Sequence, residues 1–448
     1  MRASMVNHLW TSIADAGRDL LSRGRPGGGG GGPRRRGGIE ALCRDLLSTR
    51  GEASGAAIAR EVVETLRAMP ESERPGFFRL LADGFAVDHG RLLAAARAYE
   101  QEPDLTTLLA LRRATEAPRL ELFRRMNMAP NGTRAIVRLR EQLLALLPEH
   151  PELKPVDADL HGLLTGWFSP GFLSLARMDW NSPASLLEKF LRYERVHKMA
   201  HLDDLKRRLA ADRRCFAFFH PALPDEPLIF VQVALVRGMA DAVRPLIDPE
   251  GAVRDLTRDA ADTAVFYSIS TCQEGLRGVS LGNFLIKLVV ADLQQQLPDV
   301  KTFATLSPIP GFAEWLAGER ARDDTALLAG PDRAALEALD SAGWHDQPEL
   351  AERLRQPLTR LCAHYLARER RAGRPRDAVA RFHLGNGARL ERLNWLADRS
   401  EKGLRESHGM LVNYRYDPGT IERNHEAYTN NGEVVCSPAV RALLPSPA

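Results

Sequence analysis

Hydrophobic periodicity changes once along this 448-residue chain, near Phe168, and the change restricts the folds open to it. From Ile39 to about Phe168 apolar residues recur at helical spacing, as in Ile39–Leu47, Phe77–Phe85 and Arg91–Tyr99. Thr133, after the Asn131-Gly132 break, reads as the N-cap of a helix that Pro148 and Pro151 close. Helices of ordinary length then number roughly six to eight in this stretch. Beyond Phe168, strand-like runs take over at Cys215–His220, Leu228–Val236 and Ala264–Thr271, punctuated by Pro221, Pro224, Pro227 and Gly238. Ser182-Pro183 reads as an N-cap with proline at the first helical position. A helix is expected over Asn283–Gln296, then a strand from Thr302 to Ser307. The expected fold class is α+β, an N-terminal all-α domain followed by a mixed α/β domain. Its boundaries are 1–38 for a flexible Gly/Arg-rich arm, 39–168 for the helical domain and 169–448 for the mixed domain, with 323–346 as a surface insertion carrying a helix.

Composition excludes several classes. A net charge of +3 on a chain with 27% charged residues gives no electrostatic case for nucleic acid. Cys43, Cys215, Cys272, Cys362 and Cys436 are scattered with no CxxC pair, which fits a reducing compartment and argues against a disulfide framework or a zinc ribbon. No apolar run reaches the ~20 residues of a membrane span, and residues 1–38 lack a signal-peptide core. A cytoplasmic location without membrane contact is the expectation.

Three features could carry chemistry. Ser307 ends a β-branched and aromatic run and is followed by Pro308-Ile309-Pro310-Gly311, which locks the backbone into a corner. A turn serine is the plainer account. Between the expected strand and helix lies a glycine loop, Gln273–Gly282, with Gly275, Gly278 and Gly282 permitting close backbone approach and Arg277 adding charge. The following helix N-terminus suits a pyrophosphate. The loop is neither a Walker P-loop nor a GxGxxG fingerprint, and a plain strand-to-helix turn explains it about equally well. His383 precedes an Asn386-Gly387 turn and is suited to proton transfer, although most histidines are structural. Tyr416 closes another strand-like run and could donate into a site or sit in a core.

Several segments together resemble the malonyl-CoA decarboxylase family: Phe266–Ser270, Gly275–Gly282, Phe284–Lys287, Leu306–Phe312, Phe382–Ala388 and Asn413–Tyr416, with weaker matches at Gly84–Gly90 and Trp167–Leu175. The resemblance covers nearly the whole chain after the glycine tract. It implies a catalytic domain similar to the GCN5-related N-acetyltransferase fold, whose pyrophosphate loop Arg277–Gly282 matches with one residue of altered spacing. The implied activity is decarboxylation of malonyl-CoA to acetyl-CoA and CO2, with no metal or organic cofactor, in malonate or fatty-acid metabolism. The implied catalytic pair is Ser307 and His383, with Tyr416 nearby. Arg277, Gly278, Val279, Ser280, Leu281, Gly282 and Asn283 are implied to hold the substrate's coenzyme A. Lys189 falls at a position reported to affect activity. A homo-oligomer, dimer or tetramer, through the helical domain is also implied. Ser280 replaces an acidic residue of vertebrate members, and Ala184 replaces a cysteine linked there to inter-subunit disulfides. The rival readings are an acyl-CoA-dependent N-acyltransferase, a non-catalytic helical interaction protein, and a metal hydrolase on His197 and His201 with Asp203 and Asp204.

Overall fold

The computed structural model describes residues 38–48, 51–256, 260–279, 281, 285–322, 324–325, 327–328 and 330–444. The expected flexible arm over 1–38 therefore lies almost wholly outside the described residues, as do Ser280, Gly282 and Asn283. The chain divides into two compact units. One comprises residues up to Ser174 together with 219–228 and 273–280; the other comprises 175–218, 229–272 and 281 onward.

The first unit is helical: α1 (Ile39–Ser48), α2 (Glu52–Ala68), α3 (Arg74–Arg79), α4 (His89–Gln101), α5 (Leu105–Thr115), α6 (Pro118–Met126), α7 (Gly132–Leu146) and α8 (Lys154–Trp167). Local chemistry sets the starts. Asp88 caps α4 by accepting from the Arg91 amide at 3.0 Å, and Asp104 forms a capping box with Thr107 at the head of α5. The expected cap at Thr133 is corrected. Asn131, in a left-handed conformation at φ 59°, precedes α7, and Thr133 lies in its first turn, donating to the Asn127 side-chain oxygen at 2.7 Å. The core is apolar, with Leu46, Phe78, Phe123, Ile136, Leu143 and Leu160 all fully buried. By contrast α4 and α5 bury no residue, and Leu93 and Leu105 are 57% and 70% exposed.

The second unit is built on an eight-stranded sheet: β1 (Ser174–Met178), β2 (Arg213–Phe219), β3 (Ile229–Val236), β4 (Thr263–Thr271), β5 (Thr302–Thr305), β6 (Ser307–Pro308), β7 (Arg389–Asn394) and β8 (Leu411–Tyr416). The order is β1-β2-β3-β4-β5-β8-β6, with β7 also paired to β8. β4 and β5 are parallel; the other pairs described in register are antiparallel. A parallel pair needs a crossover, supplied here by the glycine loop and a helix. β3 is buried over nearly its whole length, which explains a run that is apolar apart from Gln232. The helices used below are α9 (Ala184–Tyr193), α10 (Leu202–Arg208), α11 (Leu285–Gln296), α12 (Phe312–Arg320), α13 (Pro348–Ala367) and α14 (Ala378–Gly385).

Two further expectations are revised. Pro183, not Ser182, is the cap of α9, and the Ser182 hydroxyl instead accepts from the Asp179 amide at 3.1 Å. The 323–346 segment is not purely a surface insertion. Leu328, Leu336 and Trp344 are buried, and Trp344 packs on Trp395 with ring centroids 5.9 Å apart.

Candidate active site

Ser307 does not end the strand, as its prolines suggest. β8 pairs with β5 through Tyr416↔Phe303 and Arg415↔Ala304, and with β6 through Val412↔Ser307 and Leu411↔Pro308. The register is the same on both sides of a break at Thr305-Leu306. Proline gives up a donor but keeps its carbonyl, so pairing can pass through Pro308. At the break, side chains replace ladder bonds. The Tyr414 amide donates to Thr305 Oγ1 at 3.1 Å, and Asn413 Nδ2 donates to the Thr305 carbonyl at 2.7 Å. Leu306 packs with Ala234, Val265, Tyr267 and Leu411, and its amide donates to the Phe266 carbonyl at 2.9 Å. Strand alternation sends Thr305 and Ser307 to the opposite side from Leu306. Gly311 completes the corner, since a Cβ there would sit 2.5 Å from the Tyr365 hydroxyl.

His383 reaches this corner from the last turn of α14, 76 residues away. Asp377 fixes the start of that helix by accepting from the Ala380 amide at 2.7 Å. His383 Nε2 lies 3.1 Å from Ser307 Oγ, and Nδ1 lies 2.7 Å from the Tyr416 hydroxyl. The Ser307 hydroxyl donates to Thr305 Oγ1 at 2.8 Å. The Tyr414 ring stacks on the imidazole, with centroids 4.6 Å apart and planes 26° apart. Ser307 and His383 are 5% and 3% exposed and line a cavity of about 240 Å³ with Phe266, Ser268, Pro308 and Phe382. Burial pushes the His383 pKa down to about 3, so the imidazole is neutral near neutral pH. Burial also raises the Tyr416 pKa well above its ordinary value, which keeps the phenol protonated. The cluster is therefore an uncharged chain of hydroxyls around one imidazole, able to pass or hold a proton.

The glycine loop has a different environment. Arg277 is exposed and bonds Glu274 at 2.8 Å. Gly278 takes φ 81°, which requires glycine, and Val279 and Leu281 are buried. The close approach at Gly275 is made by the chain itself. A Cβ there would stand 1.9 Å from the Val137 carbonyl of α7. Arg140 of α7 holds the loop by donating to the carbonyls of Gly275 and Arg277 at 2.8 and 2.7 Å, while its Nε bonds Asp157 at 2.8 Å. Residues 273–280 accordingly belong to the helical unit, and Leu281 to the sheet unit.

Lys189 lies on α9 and is not among the residues lining the cavity. His197 and His201 do not share a helix face. His197 precedes α10 in irregular chain, and His201 is the residue that caps that helix. Sequence reasoning passed over Thr305 and Tyr414, although each stands two residues from a chosen one on the same strand face.

A second buried polar cluster lies in the same unit. Glu194 Oε1 accepts from the amides of Val196 and His197 at 2.8 and 3.0 Å and from the Ser270 hydroxyl at 3.2 Å. Its Oε2 accepts from the Ser268 hydroxyl at 2.7 Å and from Gln232. Arg208, 2% exposed, donates to Gln232 Oε1 at 3.2 Å and to the His197 carbonyl at 3.3 Å.

Comparison with known proteins adds the following. Residues 171–448 match the family model described as malonyl-CoA decarboxylase C-terminal domain, and residues 85–168 match the corresponding N-terminal domain. The chain is 37% identical over 405 residues to the mitochondrial malonyl-CoA decarboxylase of Anser anser anser, covering 83% of this chain and 80% of the goose protein. The Mus musculus protein of the same name is 36% identical, with 83% and 82% covered. The crystal structure of malonyl-CoA decarboxylase from Rhodopseudomonas palustris is 50% identical with a TM-score of 0.87, covering 90% of this chain and 98% of that one. The Agrobacterium vitis structure is 49% identical with a TM-score of 0.85, covering 90% and 99%.

Proposed function

The chain belongs to the malonyl-CoA decarboxylase family, and from that premise we propose that it converts malonyl-CoA to acetyl-CoA and CO2 at the Ser307–His383 cluster. The observation that carries the assignment is the 3.1 Å contact between Ser307 Oγ and His383 Nε2 inside a small cavity. In the reaction the bond from the α-carbon to the carboxylate breaks. Its electron pair moves onto the thioester as an enolate, and CO2 leaves. The thioester is the electron sink, so the step uses neither metal nor organic cofactor. His383 Nε2–H delivers a proton to the α-carbon, and Ser307 is the hydrogen-bonding partner that orients the imidazole for it. A neutral imidazole serves here because a thioester enolate is a far stronger base. The fixed corner matters because small misplacements of a reacting group slow the reaction greatly.

Coenzyme A is assigned to the loop from Arg277 to Asn283. Supporting this, the loop comes one short turn after β4, whose residues Phe266 and Ser268 line the cavity, and Arg277 is exposed. Tyr416 supports the imidazole from its far side, and Lys189 is given no step. The 39–168 domain is assigned to homo-oligomer assembly, for which the exposed leucines of α4 and α5 are the support; light scattering on purified protein tests that. No helix among the described residues is long and apolar enough to cross a membrane. We assign the protein to the cytoplasm and to turnover of malonyl groups in fatty-acid or malonate metabolism.

The deciding experiment is incubation with malonyl-CoA without added metal or ATP, following acetyl-CoA and CO2. Near-full activity in both Ser307→Ala and His383→Ala would remove the site assignment. Free CoA appearing only with an added amine, and no CO2, would replace the reading with an N-acyltransferase.

A further inference from the structure

The hydrogen bonds around His383 run in one direction, and the direction is set at Thr305. The Ser307 hydroxyl has one hydrogen and two described neighbours, Thr305 Oγ1 at 2.8 Å and His383 Nε2 at 3.1 Å. It donates to Thr305. With that hydrogen committed, Nε2 can bond Ser307 only as a donor. A neutral imidazole has a single N–H, so Nδ1 is then an acceptor, and it takes the Tyr416 hydroxyl hydrogen at 2.7 Å. The chain reads Tyr416 to His383 to Ser307 to Thr305. Thr305 itself is fully buried and is held by Asn413 on its carbonyl and by the Tyr414 amide on its hydroxyl.

We propose that Thr305 is a positioning residue which draws the Ser307 hydrogen away from His383, so that the imidazole presents Nε2–H to the cavity. The inference deepens the decarboxylase reading and rests on it. It separates two chemistries that the same serine and histidine could perform. If the serine hydrogen turned to Nε2, the pair would take the arrangement of a base-activated serine nucleophile. No Nε2–H would then face the enolate. With Thr305 as acceptor, the histidine is set as a proton donor. The proton that leaves Nε2 for the α-carbon is balanced at Nδ1 by the Tyr416 hydrogen; after product leaves, Nε2 takes a proton from water and Nδ1 returns its hydrogen to the Tyr416 oxygen.

The test combines a tautomer measurement with kinetics. In protein labelled with ¹⁵N-histidine, the His383 nitrogens of the wild type should report protonation at Nε2. Thr305→Val removes the acceptor, and protonation should move to Nδ1. In the same variant kcat for malonyl-CoA should fall by about 10- to 100-fold, with KM changed less than about threefold. Labelling of Ser307 by a fluorophosphonate should rise, because the serine now has a base. Thr305→Ser keeps the hydroxyl and should restore the Nε2 tautomer and most of kcat. A wild-type protein carrying its proton on Nδ1 overturns the proposal. So does a folded Thr305→Val variant with unchanged tautomer and kcat. If Thr305→Val fails to fold, the wild-type and Thr305→Ser spectra still decide the matter. An inactive wild type with the Nε2 tautomer would instead remove the decarboxylase reading and leave this arrangement standing.

Discussion

Two of the buried polar clusters in the sheet unit differ in charge and in how they meet the cavity. Around Glu194, five donors converge on one carboxylate, and Arg208 stands behind Gln232. Around His383, three hydroxyls and one imidazole form a chain with no ionised member. The first arrangement uses its acceptors to tie the segment after α9 to β3 and β4. The second leaves Ser307 and His383 lining a cavity. Ser268 touches both, bonding Glu194 while contributing to the cavity wall. Burial of polar groups is therefore no sign of chemistry by itself. A charged acceptor saturated by donors stabilises, whereas an uncharged chain lining a cavity can act.

The contrast can be broken by substitution. His383→Ala should lower kcat by about 10³-fold, equivalent to about 4 kcal/mol of barrier, as read by acetyl-CoA formation. Retained activity would erase the distinction. Glu194→Ala should reverse the pattern. Its stranded donors and the uncompensated Arg208 should lower unfolding free energy by about 3 kcal/mol in urea titration. The kcat of the folded fraction should stay near wild type. A large kcat loss at unchanged stability would make Glu194 part of the reaction instead.

The next expected effect is on stability against pH. The folded pKa of His383 is about 3, below the unfolded value of ~6.5. Between those values the unfolded chain binds a proton that the folded one does not. Its contribution is thus complete above pH ~6.5 and is lost as pH falls through the window, about 2–3 kcal/mol by pH ~4.5. Asp377 acts in the opposite sense. Burial raises its pKa to about 6, so the folded state holds a proton that the unfolded state has released. Comparing His383→Gln with wild type isolates the histidine, and the variant should show a shallower loss on acidification. An identical pH slope would mean that His383 is charged in the fold. The smallest effect is expected for Tyr416→Phe, about 10-fold in kcat with stability nearly unchanged, because it removes one hydrogen bond to the imidazole while keeping the ring.

How much of this was legible depended on range. Runs such as 229–236 and 263–271 were readable because burial selects their side chains residue by residue. The caps at Thr133 and Ser182 were misplaced by one or two residues, since neither helix start is held by a side-chain cap: Asn131 and Pro183 make no capping hydrogen bond. Ser307 stood out through its prolines, yet those same prolines suggested a strand end, and pairing with β8 overrode that cue. Gly275 was readable as a close approach, but the approaching group was the Val137 carbonyl. Thr305 could have been found by stepping two residues back from Ser307.

Local sequence carried the order of helical and mixed regions, the rigid corner at Ser307, and the presence of a histidine and tyrosine suited to proton chemistry. These are local consequences of side-chain periodicity, proline geometry and residue chemistry. Packing of distant segments is what brings His383, 76 residues from Ser307, to 3.1 Å from it and strips the imidazole of its charge by burial. Pairwise distance and dielectric depend on how β5, β6, β8 and α14 pack together, and no local pattern encodes that.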